Sequence, residues 1–148
     1  MYDAAAKQAI SLARKLKNKY GDIENICIAK DIHILFSELG QGVTGLHVYT
    51  HRVHTIIIQK DLDPYLTRFI LGHELGHFFM DKTRNRLYVD SYASKDSYIE
   101  RRANLFSVAL ILPDKIPVEF YDYTADQLSS YYGVPAWTIP TIYNRNFF

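Results

Sequence analysis

The chain has 148 residues, 48% of them hydrophobic and 22% charged, enough for one globular domain with its own core and too few for a second large one. Its 17 basic and 16 acidic side chains are interspersed and leave a net charge of +1, so the totals show neither a nucleic-acid footprint nor an acidic tail. A single cysteine, Cys27, cannot close an internal disulfide. The start Met1-Tyr2-Asp3-Ala4 lacks the basic and apolar regions of a secretory signal, and no apolar run approaches the roughly 20 residues of a membrane span. A cytoplasmic, single-domain protein over residues 1–148 is expected.

Ala6, Ala9, Ile10, Ala13 and Leu16 recur at helical spacing, with Lys7, Arg14, Lys15 and Lys17 mostly around them. An amphipathic opening helix follows, ending near Tyr20-Gly21, and its basic residues read as a solvated face rather than a membrane surface. From Asp22, the set Ile23, Ile26, Cys27 again has helical spacing, after which Ile32, Ile34 and Phe36 alternate with His33 and Leu35 as a strand does. Glycines 40, 42 and 45 punctuate a loop, and Leu46–Tyr49 and His54–Ile58 read as two further strands in a hairpin. His33, His47, His51 and His54 also fall in this region. His51 and His54 differ by an odd number, so in one regular strand they would point to opposite faces. They are expected to be surface or half-buried histidines; the alternative is that one lines the cleft and hydrogen-bonds a substrate or oxyanion.

Asp63-Pro64 starts a helix, with Asp as N-cap and Pro at the first helical position, that runs to about Met80. It contains His73-Glu74-Leu75-Gly76-His77. Histidines at this spacing are about 400° of helical rotation apart, so both rings leave one face roughly 6 Å apart along the axis. That suits one tetrahedral zinc. Glu74 lies about 100° round from His73, too far to join the same ligand set easily but well placed to act on a water as general base. Gly72 and Gly76 each cost about 1 kcal/mol of helix propensity against alanine, which predicts a close neighbour along their stripe. The polar mixture from Asp81 to Asp96, with Arg84, Asn85 and Arg86, reads as a loop at the mouth of the site, and Tyr88 and Tyr92 are candidate substrate contacts.

The next helix begins near Ser97 and stops before Pro113, carrying Glu100, Ala103, Asn104 and Ser107 along one stripe. A catalytic zinc site takes three protein ligands and keeps one position open, so the histidines need a partner from another element. Glu100 is the candidate, although Ser97-x-x-Glu100 also reads as a capping box that would use the glutamate at the helix start. Small Ala103 permits close approach of the two helices, and Asn104 on the same face can orient a ligand by a hydrogen bond. Both favour ligation.

The set Arg68-Phe69-x-x-x-His73-Glu74-x-x-His77 followed by Glu100-x-x-Ala103-Asn104-x-Phe106 and Leu110-Ile111-Leu112-Pro113 resembles the ImmA/IrrE family of zinc-dependent metallopeptidases. The likeness spans roughly residues 20 to 140 and includes a preceding strand like Thr55–Gln59. It implies zinc on His73, His77 and Glu100 with Glu74 as catalytic base. Ser107 stands where the family usually has alanine. The resemblance also implies a protein substrate, since several members cleave a helix-turn-helix repressor of a phage or integrative element. The expected fold is α+β and zincin-like: a small antiparallel or mixed three-stranded sheet on the helix of His73 and His77 and the following Glu100 helix, with further helices at both ends. By analogy with that architecture, the sheet edge near Leu46–Tyr49 could hold an extended substrate strand.

Thr124 to Ile139 looks like a helix-turn-helix, with Thr124 and Gln127 as capping box and Gly133 in the turn. A recognition helix from Pro135 would meet Pro140 early and offer only Arg145 as a base, too little for phosphate contacts. Residues 124–145 are therefore expected to pack on the catalytic core with Trp137 and Ile139 buried. The expected function is zinc-dependent peptide hydrolysis in a regulatory protein. The alternatives are a non-hydrolytic zinc-containing regulator or sensor that binds a partner protein and, behind it, a DNA-binding regulator.

Overall fold

The computed structural model describes residues 3–81, the backbone of 87–90 and residues 98–147. Helix α1 (Ala4–Tyr20) is capped by Asp3, whose side chain accepts from Ala6 N, and buries Ala6, Ala9, Ile10, Ala13 and Leu16, the stripe its spacing predicts. Its basic face is only partly solvated. Lys17 Nζ donates to Ala109 O and Leu112 O at 3.0 and 2.8 Å and pairs with Asp114 at 2.7 Å. The charge sits at the C-terminal end of helix α4 (Tyr98–Ile111), where it offsets the helix dipole and satisfies unpaired carbonyls. Arg14 reaches Asp114 beside it. Burial of the alanine stripe against α4 draws both long side chains over the helix end.

After the short helix α2 (Ile23–Ala29) come strands β1 (Ile32–Ser37), β2 (Gly45–Thr50) and β3 (Val53–Gln59). β2 and β3 form the expected hairpin, from Thr50↔Val53 to Gly45↔Ile58. His51 and Arg52 turn it at φ 50° and 64°, the pair of left-handed residues a two-residue hairpin of primed type uses. β1 adds parallel to β3, with Ile34 opposite Ile56. The sheet is thus mixed. A fourth strand, β4 (Leu87–Asp90), joins the other side of β2 in antiparallel register, Gly45↔Asp90 to Val48↔Leu87, giving the order β1-β3-β2-β4. Two expectations change with it. The segment from Asp81 to Asp96 is not loop throughout, and Leu46–Val48 is not a free edge, because β4 takes up the backbone groups a substrate strand would have used.

Helix α3 (Pro64–Met80) begins as predicted, Asp63 accepting from Tyr65 N with Pro64 in the first turn, and every residue from Phe69 to His77 is buried. It is covered on both sides, by the sheet and by α4. A helix apolar nearly all round is what such a position requires. The two glycines face α4. A Cβ on Gly76 would lie 3.2 Å from Ala103 Cα, and one on Gly72 would stand 3.1 Å from Ser107 Cα. Ser107 fills the space Gly72 leaves, and its hydroxyl donates to Phe69 O at 2.6 Å.

Beyond α4 a 3-10 turn at Val118–Phe120 leads to α5 (Ala125–Tyr132), whose Thr124/Gln127 capping box and left-handed Gly133 are both present. α6 (Thr138–Tyr143) starts three residues later than the supposed recognition helix and buries Thr138, Ile139, Thr141 and Ile142. Ile139 is fully buried as expected, whereas Trp137 is only half-buried and packs at the core's margin. With those side chains turned inward, α6 has little left to read a groove with. Among the described residues no helix is long and apolar enough to cross a membrane.

Candidate metal centre

Close contact of α3 and α4 brings the three expected residues together. His73 Nε2 lies 3.1 Å from His77 Nε2 and 3.0 Å from Glu100 Oε2, and His77 Nε2 lies 3.5 Å from the same carboxylate oxygen. All three are buried, at 0%, 3% and 8% exposure. Ligands on bonds of about 2.0–2.1 Å in a tetrahedral shell stand about 3.3 Å from one another. The triangle has the size of one zinc coordination face.

The protons on the rings point to the same use. His73 Nδ1 is 2.6 Å from Asn104 Oδ1, and His77 Nδ1 is 2.9 Å from Asp81 Oδ2. Both partners are acceptors, so both Nδ1 atoms carry a hydrogen, and in the neutral imidazole this makes Nε2 the nitrogen that can bind a metal. The two Nε2 atoms and a carboxylate oxygen converge within 3.5 Å in a buried space, an arrangement that suits a shared cation. Asn104 does for His73 what the sequence suggested. Asp81, which was read as the first residue of a loop, does the same for His77.

Asp81 is in turn held by Arg102, whose Nη2 lies 2.6 Å from Asp81 Oδ1. Burial alone would raise the Asp81 pKa, but the hydrogen bonds and charges of His77 and Arg102 outweigh it and hold the carboxyl below its ordinary value. The carboxylate is therefore ionised where it is needed as an acceptor. Ser97, the other half of the supposed capping box, lies outside the described residues, as do Arg84, Asn85, Arg86 and Tyr92 and the side chain of Tyr88.

Glu74 is fully buried. It leaves α3 towards β2, where Gly45 makes room: a Cβ there would stand 2.7 Å from Ile70 Cγ2 and 3.5 Å from Glu74 Oε2. Gly45, read as loop punctuation, is the first residue of a strand that must pass over the helix without a side chain. Two residues on, the same face of β2 carries His47. Its Nε2 is 3.0 Å from His54 Nδ1, and both rings pack on Phe78 at centroid distances of 5.9 and 4.8 Å. Burial, with the charges of His54 and His77, pushes the His47 pKa down to about 4. Of the rival histidines, then, His47 and His54 form a half-buried pair beside α3, while His33 and His51 stay at the surface.

The model of peptidase family M78, the IrrE N-terminal-like domain, matches residues 27–139. The chain belongs to this metallopeptidase family, ImmA/IrrE. It is 31% identical to the metallopeptidase ImmA of Bacillus subtilis (strain 168) over 122 residues, 78% of this chain and 71% of that protein. It is also 29% identical to the uncharacterized immunity region protein 2 of Bacillus phage phi105 over 136 residues, 89% of this chain and 83% of that one. As an ImmA/IrrE metallopeptidase the chain carries its metal-competent cluster of His73, His77 and Glu100 inside the matched region.

Proposed function

We propose that the protein is a zinc-dependent endopeptidase that cuts a regulatory protein, with a helix-turn-helix repressor of a phage or mobile element as the substrate class. The observation that carries the catalytic part is the converging triangle of His73 Nε2, His77 Nε2 and Glu100 Oε2, whose edges of 3.0 to 3.5 Å fit zinc. When bound, zinc supplies the Lewis acidity that makes water nucleophilic near neutral pH and polarises the scissile carbonyl. Glu74 takes the proton from the attacking water and returns it to the departing amine, so that one peptide and one water become a carboxylate and an amine. Asn104 and Asp81 keep both imidazoles in the tautomer that leaves Nε2 available. His47, two residues past Gly45 on the same face of β2, is the candidate to hydrogen-bond a substrate carbonyl, and its pKa of about 4 keeps it from adding a positive charge near the ion.

The regulatory substrate is supported by the company the chain keeps, a metallopeptidase and an immunity-region protein of a phage. Such a substrate also fits a cytoplasmic location. The test is incubation of the zinc-loaded protein with a helix-turn-helix repressor of a phage or mobile element, reading fragment masses. Cleavage that stops with a chelator and with Glu74→Gln, while zinc content and fold persist, is the expected result. An intact repressor whose activity is nevertheless relieved equally by wild type and Glu74→Gln would replace the peptidase with a non-hydrolytic regulator.

A further inference from the structure

Arg102 lies on α4 beside the residues discussed above, yet it touches no candidate ligand. Its side chain is 12% exposed and that of Asp81 4%, an arrangement that takes two charges out of water and needs a reason. Nη2 donates to Asp81 Oδ1 at 2.6 Å and to Met80 O at 3.2 Å, and Nη1 donates to Gln8 Oε1 on α1 at 3.2 Å. One guanidinium thus joins three helices at the point where α3 ends.

That end lacks the usual stop. The residue after Met80 is Asp81 at φ −124°, ψ 40°, not the left-handed glycine that commonly closes a helix. Arg102 fills the gap by donating to one of the last carbonyls. His77 sits in this final turn, whereas His73 lies a full turn further in, where the helix is held by its own hydrogen bonds and by α4. The two rings also differ in what they lean on. His77 donates to a carboxylate and His73 to a neutral amide oxygen, and a charged acceptor binds the ring N–H more strongly and leaves the other nitrogen more basic.

We propose that Arg102 is a positioning residue for the metal, acting through Asp81 to fix the ring of His77, and that this charged support contributes more to metal affinity than the amide behind His73. The inference rests on the metallopeptidase reading and adds to it a residue that neither binds metal nor touches substrate. Arginine is required because the same group must reach a carboxylate, a backbone carbonyl and Gln8 at once. Lysine has the charge but not the fork.

The experiment measures zinc affinity by competition with a chromophoric chelator for wild type, Asp81→Ala, Arg102→Leu, Arg102→Lys, Asn104→Ala and the double variant Asp81→Ala/Arg102→Leu. Thermal unfolding of each metal-free protein is read alongside. Asp81→Ala is expected to weaken zinc about 10- to 100-fold, and Arg102→Leu about 10-fold, with Arg102→Lys recovering part of the loss. The double variant should be no weaker than Asp81→Ala alone, because Arg102 acts through Asp81. In the metal-free protein, ring nitrogen shifts should show His77 moving its hydrogen from Nδ1 to Nε2 in Asp81→Ala, which removes the acceptor. If the two losses multiply in the double variant, or if Asn104→Ala costs as much as Asp81→Ala, the proposal fails while the peptidase reading stands. Should Arg102→Leu be too unstable to purify, Arg102→Lys decides: affinity within twofold of wild type together with an additive Asp81→Ala/Arg102→Lys pair overturns it. A wild-type chain that takes up no zinc would overturn the metallopeptidase reading and this proposal together.

Discussion

Replacing Gly72 by alanine sets helix propensity against packing at the contact that builds the site. On an exposed helix the change would stabilise by about 1 kcal/mol. Here the new methyl would overlap Ser107 Oγ and stand 3.0 Å from its Cβ and 3.1 Å from its Cα. The hydroxyl cannot simply swing aside, because it donates to Phe69 O at 2.6 Å in a fully buried position. Overpacking costs about 1–3 kcal/mol, and loss of that hydrogen bond about 0.5–1.5 kcal/mol. After subtracting the propensity gain, a net destabilisation of about 2 kcal/mol remains, equivalent to a melting-temperature drop of about 6 °C for a chain of this size. The helices must also separate, which draws Glu100 away from the histidines and weakens zinc. Removing the hydroxyl in the pair Gly72→Ala/Ser107→Ala relieves the worst overlap and should return about half of the stability. Denaturant unfolding of the metal-free protein and zinc competition read both effects. A Gly72→Ala protein as stable as wild type, with unchanged zinc affinity, would refute the reasoning.

Gly45→Ala places a methyl 2.7 Å from Ile70 Cγ2 and 3.5 Å from Glu74 Oε2; turnover should fall at least about 10-fold with zinc content intact, and an unchanged rate would contradict the close passage of β2 over Glu74. Cys27, 1% exposed, has its thiol pushed up to about 12 by burial and by Glu24. Its reaction with a disulfide reagent at pH 8 should therefore follow global unfolding, and rapid stoichiometric labelling of the native protein would contradict this. His47, held at about 4 by burial and by His54 and His77, binds its proton more readily when unfolded. Metal-free protein should accordingly lose stability as pH falls from about 6.5 towards 4, and His47→Phe should lose less over that window; equal losses of urea-unfolding free energy between pH 7 and pH 5 for wild type and His47→Phe would rule it out.

What could be read from the sequence had strong local periodicity. His73, Glu74 and His77 share one helix, and the paired glycines announced the close neighbour that proved to be α4, carrying Ala103, Ser107 and Glu100. Asp81 was missed because a polar residue at the start of a polar stretch looks like loop. Its signal was its place four residues after His77, at a helix end with no glycine to close it. Arg102 gave no local sign, since its partners come from α1 and the end of α3, both distant in sequence. His47 and His54 were obscured by a parity test applied to the wrong pair. Counted across the two-residue turn, Tyr49 faces His54 and His47 is its diagonal neighbour on the same face. β4 escaped notice because Leu87-Tyr88-Val89-Asp90 is short and lies among charged residues; it becomes a strand by pairing with β2, a contact periodicity does not encode.

The most direct measurement is anomalous diffraction at the zinc absorption edge from crystals of the zinc-loaded protein. One dominant peak about 2.0–2.2 Å from His73 Nε2, His77 Nε2 and a Glu100 carboxylate oxygen is the predicted result. A peak lying elsewhere, for instance between His47 and His54, with none inside the triangle, would contradict the account.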